Sequence, residues 1–119
     1  MAPSVEVIIA HLGASSPGYP AQNDEVMAVF GEAAQKRDRR MRNIYFDVSA
    51  NVTEEMTPAQ GAQLAQRLRQ VGLKRILYGS DLNAPGGSVR AGWEIFRARS
   101  GLTPAEVRLV FGNRTRFVR

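Results

Sequence analysis

Cysteine is absent from this chain of 119 residues, which excludes disulfides, thiolate catalysis and cysteine-ligated zinc or iron–sulfur sites. Histidine occurs once, as His11, so the chain by itself cannot build a multi-histidine metal site. No apolar run approaches the roughly 20 residues that span a bilayer, and the start lacks the basic, apolar and small-residue succession of a signal peptide. A cytoplasmic location without a membrane partner is therefore expected. Glycine and proline, 11 and 6 residues, show no fibrous or low-complexity excess. A hydrophobic share of 44% with 23% charged residues fits one compact domain over 1–119.

Sixteen basic residues against eleven acidic ones give a net charge of +5. The dense cluster is Lys36, Arg37, Arg39, Arg40 and Arg42, interrupted by Asp38. It falls at the end of a predicted helix, where cations favour the exposed carbonyls. No aromatic residues interleave with it as a nucleic-acid stacking platform requires, so nucleic acid is not the expected partner.

Three short runs rich in branched or aromatic residues read as strands: Val5–Ala10, Ile44–Ser49 and Arg75–Ser80. Helical spacing separates them. A helix is expected from about Asp24 to Met41 through Val26, Phe30, Ala33 and Ala34. Thr57-Pro58-Ala59-Gln60 is a capping box opening a second helix with Leu64, Leu68 and Val71 inward, and Gly72 is its left-handed stop. A third helix, from about Ser88 to Arg99, is expected to bury Val89, Trp93 and Phe96. A second capping box, Thr103-Pro104-Ala105-Glu106, opens a short helix through Val107, Val110 and Phe111 to Gly112.

The order β-α-β-α-β-α-α implies an α/β fold with parallel βα units, the strands starting 39 and then 31 residues apart. In the second strand Ile44, Phe46 and Val48 share one face, and Tyr45, Asp47 and Ser49 the other. Helices are expected on the apolar face. A three-strand sheet whose other face is polar reads like a slice of a barrel.

In parallel α/β folds the reactive groups gather at the carboxyl ends of strands. His11 follows the first strand, Asp81 follows the third, and the second ends in Asp47-Val48-Ser49-Ala50-Asn51. A histidine, an aspartate and a hydroxyl or amide at three neighbouring strand tips suit general acid/base or metal-assisted chemistry. The same residues also suit plain turn and capping roles. Ala84-Pro85-Gly86-Gly87-Ser88 lacks the lysine of a P-loop and the spacing of a dinucleotide fingerprint. Ser15 and Ser16 have neither a second histidine nor an elbow motif, so a serine-hydrolase site is not expected.

Three strings together carry a resemblance: Val7-Ile8-Ile9-Ala10-His11-Leu12-Gly13, Asn43-Ile44-Tyr45-Phe46-Asp47-Val48-Ser49 and Arg75-Ile76-Leu77-Tyr78-Gly79-Ser80-Asp81. They resemble the last three barrel strands of the amidohydrolase-related (amidohydrolase 2) family. Its members are metal-dependent hydrolases and decarboxylases on a distorted (β/α)8 TIM-type barrel. The stretch Leu102 to Asn113 resembles the family's terminal helix and its asparagine.

The resemblance implies that Asp81 ligates a divalent metal, zinc in many members, and assists proton transfer from the bound water. It implies that His11 is a general acid/base beside that water, or a metal ligand. Ser49 matches a position of the seventh strand without a defined role. The family's His-x-His pair on the first strand and its mid-barrel ligands have no counterpart here. Ala14 stands where the family has a second glycine, and Asn83 where it often has proline.

A full barrel has about 250 residues. The resemblance therefore implies a single partial domain, the carboxyl-terminal three βα units with extra helices. Its incomplete metal site would act on a small-molecule substrate once a missing barrel half completes it. The alternative expectation is a non-enzymatic α/β module that forms a homo-oligomer through its bare sheet face and edge strands.

Overall fold

The computed structural model describes residues 5–13, 17–79 and 88–115. Three strands, β1 (Val7–Ile9), β2 (Ile44–Asp47) and β3 (Ile76–Leu77), form one parallel sheet in the order β1-β2-β3. The register sets Val7 beside Ile44, Ile9 beside Phe46, and Phe46 beside Ile76. Among the described residues four α-helices accompany the sheet: α1 (Ala21–Gln35), α2 (Pro58–Val71), α3 (Val89–Arg99) and α4 (Pro104–Gly112). The fold is mixed α/β, as the alternation of strand and helix patterns predicts. No helix among the described residues is long and apolar enough to cross a membrane.

The strands are shorter than the β-type runs, and local chemistry explains why. After Ile9 the chain tightens into a turn, Ala10–Gly13, in which His11 (φ 53°) and Leu12 (φ 51°) both take left-handed backbone angles. After Asp47 the aspartate's own side chain accepts the Ser49 amide at 2.7 Å, which turns the chain out of the ladder.

The register puts Phe46 and Ile76, both fully buried, on one face of the sheet with Ile9. Phe30 of α1 meets Phe46 edge-on at 5.0 Å, so α1 covers this face. Such ring pairs add about 0.5–1.5 kcal/mol beyond their buried area. The opposite face carries Ile8, Tyr45, Asp47 and Leu77. It is covered less completely: Tyr45, Asp47 and Leu77 are only half-buried, where Phe46 and Ile76 on the other face are fully buried.

The helices differ in how they begin and stop. α2 starts on the expected capping box, with Thr57 Oγ1 accepting from Gln60 N and Gln60 Oε1 accepting from Thr57 N. Its buried stripe is Gly61, Leu64, Ala65, Leu68 and Val71. Gly72 ends it at φ 105° and ψ 118°, a positive-φ conformation that favours glycine but lies away from the left-handed helical angles. α4 repeats the capping box at Thr103 and Glu106.

α1 begins earlier and stops earlier than the expected span. Arg37 takes a positive φ of 55°, and Asp38 then caps a separate turn at Arg39–Met41. The basic cluster is thus divided between a helix end and that turn. Of the residues expected inward on α3, Phe96 is buried and Trp93 half-buried, but Val89 is 57% exposed because it opens the helix. Phe111, expected inward on α4, is 49% exposed and rests its ring on Trp93 at 4.2 Å.

Candidate functional site

The carboxyl ends of β1 and β2 bring together His11, Asp47, Ser49 and Asn51. His11 is half-buried, and its left-handed backbone is one that non-glycine residues adopt at a cost of about 1–3 kcal/mol. Hydrogen bonds to other described residues hold it there. The ring Nδ1 donates to the main-chain oxygen of Ser49 at 2.8 Å. The main-chain oxygen of His11 accepts from Asn23 Nδ2 at 2.9 Å and from Asn51 Nδ2 at 3.1 Å.

Because a carbonyl only accepts, the Ser49 contact places a ring hydrogen on Nδ1. A carbonyl on Nδ1–H is the kind of contact that orients a metal-ligating or proton-transferring imidazole from behind.

Ser49 is in turn held by Asp47. Its amide and its hydroxyl both donate to Asp47 Oδ1. Gly79, just past β3, closes over this pair: a Cβ there would overlap Ser49 Oγ and stand 3.2 Å from Asp47 Oδ1. Only glycine lets the third strand's exit lie so close to the second. The following Ala50 has a positive φ of 60°, and its oxygen accepts from Gly18 N at 2.7 Å. Asn51 Nδ2 also reaches Gly18 O at 3.1 Å. The loops after β1 and β2 are therefore laced to each other as well as to His11.

The segment approaching α1 is anchored by Asp24. Its carboxylate accepts from Tyr19 at 2.9 Å, Gln63 at 3.0 Å and Arg67 at 2.9 Å. Burial raises the Asp24 pKa, but the hydrogen bonds from Arg67, Gln63 and Tyr19 outweigh it and hold it below the ordinary carboxylate value. Burial, then the Asp24 hydrogen bond, pushes the Tyr19 phenol well above its usual range.

A cavity of about 380 Å³ opens on the less covered sheet face, lined by Ile8, Asp47, Leu77, Tyr78, Phe111 and Arg114 among others. Asp47 thus faces both the His11 support and an open hollow. At the other end of the sheet a groove of about 630 Å³ carries Arg42, Arg69, Lys74 and Arg75. There Arg69 grips Glu106 at 2.7 and 2.8 Å, and Arg75 donates to the carbonyls of Met41 and Ile44. Both are engaged in holding the fold together.

Among the sequence-derived candidates, the structure brings His11, Asp47, Ser49 and Asn51 together. Asp81 lies outside the described residues, as do Ser15, Ser16 and most of the Ala84–Ser88 stretch, whose Ser88 caps α3. Sequence reasoning missed Asn23, a fully buried amide in the first turn of α1, and the steric role of Gly79. An asparagine among the apolar positions of a helix was the available signal for the first. Asn113, singled out by the resemblance, donates to Leu73 O at 2.7 Å and Ile76 O at 2.8 Å, clamping the end of α4 to the start of β3.

The carbonyl support of His11 Nδ1 fits a divalent-metal ligand. Among the described residues no group of three histidine, aspartate or glutamate side chains gathers to hold such an ion. Comparison of the chain with protein-family models, with curated proteins and with solved structures finds no match.

Proposed function

We propose that this chain is the carboxyl-terminal, three-unit portion of an amidohydrolase-related (β/α)8 barrel that contributes His11 and Asp81 to a shared metal site. The observation that supports this reading most is His11 itself. It is a strained residue at a strand tip whose backbone and ring are both fixed by hydrogen bonds, the ring through Nδ1. Strain held by surrounding structure concentrates at functional sites.

A divalent metal, when bound, supplies a water with a pKa lowered towards about 7. In this reading Asp81 binds through its carboxylate, and His11 either ligates through Nε2 or holds and passes a proton there. The remaining ligands come from βα units beyond these three, and the substrate is a small molecule with a hydrolysable amide, ester or lactone, or a carboxylate to be lost.

Zinc titration of the purified tag-free chain tests the reading by calorimetry. Weak saturable binding is expected, reduced at least tenfold in both His11→Gln and Asp81→Asn. Binding that neither substitution weakens, or no binding at millimolar zinc, rejects it.

A second reading is favoured by the exposed apolar side chains Val5, Val7 and Ile8, at 47%, 43% and 40%, on or beside β1. Among the described residues β1 pairs only with β2, so its outer edge is a template for another strand. The chain would then be a self-associating α/β module without enzymatic activity. Sedimentation equilibrium of the wild-type chain and Ile8→Lys decides: an oligomer that the lysine disperses supports it, and a wild-type monomer at high concentration rejects it.

A further inference from the structure

We infer that Asp47 is a positioning residue for His11, acting through the Ser49 carbonyl to hold the imidazole in its Nδ1–H form. The inference deepens the metal-site reading, on which its functional meaning rests.

The chain of contacts is continuous. Asp47 Oδ1 accepts the Ser49 amide at 2.7 Å and the Ser49 hydroxyl, closing a turn of the aspartate type at the end of β2. That turn fixes the direction of the next peptide, whose oxygen accepts His11 Nδ1–H at 2.8 Å. Free histidine in water favours the opposite tautomer, with hydrogen on Nε2. Holding the Nδ1–H form therefore requires an acceptor fixed in place, and the Ser49 oxygen is fixed by a side chain rather than by the sheet ladder.

Gly79 supports the same arrangement from outside. The space a Cβ would take there is occupied by Ser49 Oγ, with Asp47 Oδ1 3.2 Å away, so the exit of β3 lies directly against the Asp47–Ser49 pair. Asp47 also lines the hollow on the less covered sheet face. A carboxylate held by hydrogen bonds on one side and facing a hollow on the other is placed to transmit occupancy of that hollow to the histidine. Asn23 and Asn51 bond to the His11 main-chain oxygen, whereas the Asp47–Ser49 route ends on the ring, which separates their task from that of Asp47.

The single histidine makes the test direct, because every imidazole nitrogen signal of the tag-free chain belongs to His11. Nitrogen-15 NMR at pH 8 reports the tautomer without any metal. The wild-type chain is expected to show predominantly Nδ1–H. Asp47→Ala is expected to swing the ring to predominantly Nε2–H while the amide spectrum remains that of a folded protein. Asp47→Asn, which keeps an acceptor oxygen for the Ser49 amide, is expected to restore the Nδ1–H form.

Gly79→Ala disturbs the same pair from the opposite side and is expected to shift the tautomer in the direction of Asp47→Ala. It decides the matter should Asp47→Ala fail to fold. A folded Asp47→Ala or Gly79→Ala chain with the wild-type tautomer overturns the inference. Zinc titration separates this result from the fate of the metal-site reading. An Asp47→Ala chain that binds zinc about tenfold more weakly supports both, since supporting partners of a metal histidine carry effects of about that size. A wild-type chain that ignores zinc yet shows the Asp47-dependent tautomer rejects the metal site and leaves the positioning role standing.

Discussion

Asn23 and Asn51 direct their side-chain amides at one atom, the main-chain oxygen of His11, from 2.9 and 3.1 Å. Both asparagines are fully buried, and in both the Oδ1 atom has no hydrogen-bond partner among the described residues. Two buried polar groups are thus committed to one carbonyl whose own residue carries an unfavourable backbone angle. An unsatisfied buried acceptor is costly, and that cost is offset here by the donors each amide gives to the turn carrying His11.

Asn51→Ala removes the donors to both His11 and Gly18. It should lower unfolding stability by about 1–3 kcal/mol in urea titrations, the range for stripping partners from buried groups. The substitution should also broaden the His11 ring signals, because the turn that carries the ring loses one of its two anchors. A chain of unchanged stability would show that Asn23 alone holds the turn.

Glycine substitutions should divide by geometry. A Cβ on Gly61 would overlap the main-chain oxygen of Arg99, where α2 passes the end of α3, and backbone yields little. Gly61→Ala should therefore cost about 1–3 kcal/mol, as overpacking does. Gly112, at the last position of α4, has open space within 4 Å of the point where a Cβ would stand. Gly112→Ala should thus gain up to about 1 kcal/mol from helix propensity. Melting temperatures of the two variants, moving in opposite directions, check the pair.

Glu106 gives a pH dependence with a definite sign. The Arg69 guanidinium holds its pKa at about 2, below the ordinary 4.5. The charged form is thus favoured by folding: the contribution is full above pH 4.5 and disappears as the pH falls towards 2. Glu106→Gln keeps an oxygen for the capping box but loses the charge. It should cost at most about 1 kcal/mol at pH 7, as for partly exposed ion pairs, and much less at pH 2. Urea unfolding at the two pH values measures the difference.

Tyr19→Phe should raise the Asp24 pKa towards its ordinary value, because the phenol is one of the donors that hold the carboxylate charged. Its stability cost should be about 0.5–1.5 kcal/mol, the usual net value of one hydrogen bond. Carbon-13 NMR titration of the Asp24 carboxyl follows the shift directly.

The α/β alternation was legible because it rests on local patterns: branched runs for the strands, and two Thr-Pro boxes that open helices on the residues that spell them. The His11 position was legible as a strand tip. What could not be read was how long-range contacts use the tips. Asp47 looked like a member of a polar sheet face, yet its side chain ends the strand and supports Ser49. Asn23 sits in a helix whose pattern advertised Val26 and Phe30, while its partner His11 lies in the turn after the preceding strand. Gly79 reads as an ordinary glycine until the neighbouring strand's side chains are placed beneath it. Strand lengths were overestimated because residues with high β propensity continue past the point where turns take their hydrogen bonds.

The aromatic group formed by Tyr78, Trp93, Phe96 and Phe111 joins the exit of β3 to α3 and α4, with Trp93 lying 5.3 Å from Tyr78 and 4.2 Å from Phe111. Trp93 is the chain's one tryptophan. Its fluorescence is therefore a local optical gauge of whether the last two helices are seated, distinct from the circular dichroism dominated by all four. A loss of tryptophan signal before the helical signal on heating would reveal that the terminal pair undocks from the sheet as a unit while α1 and α2 remain in place.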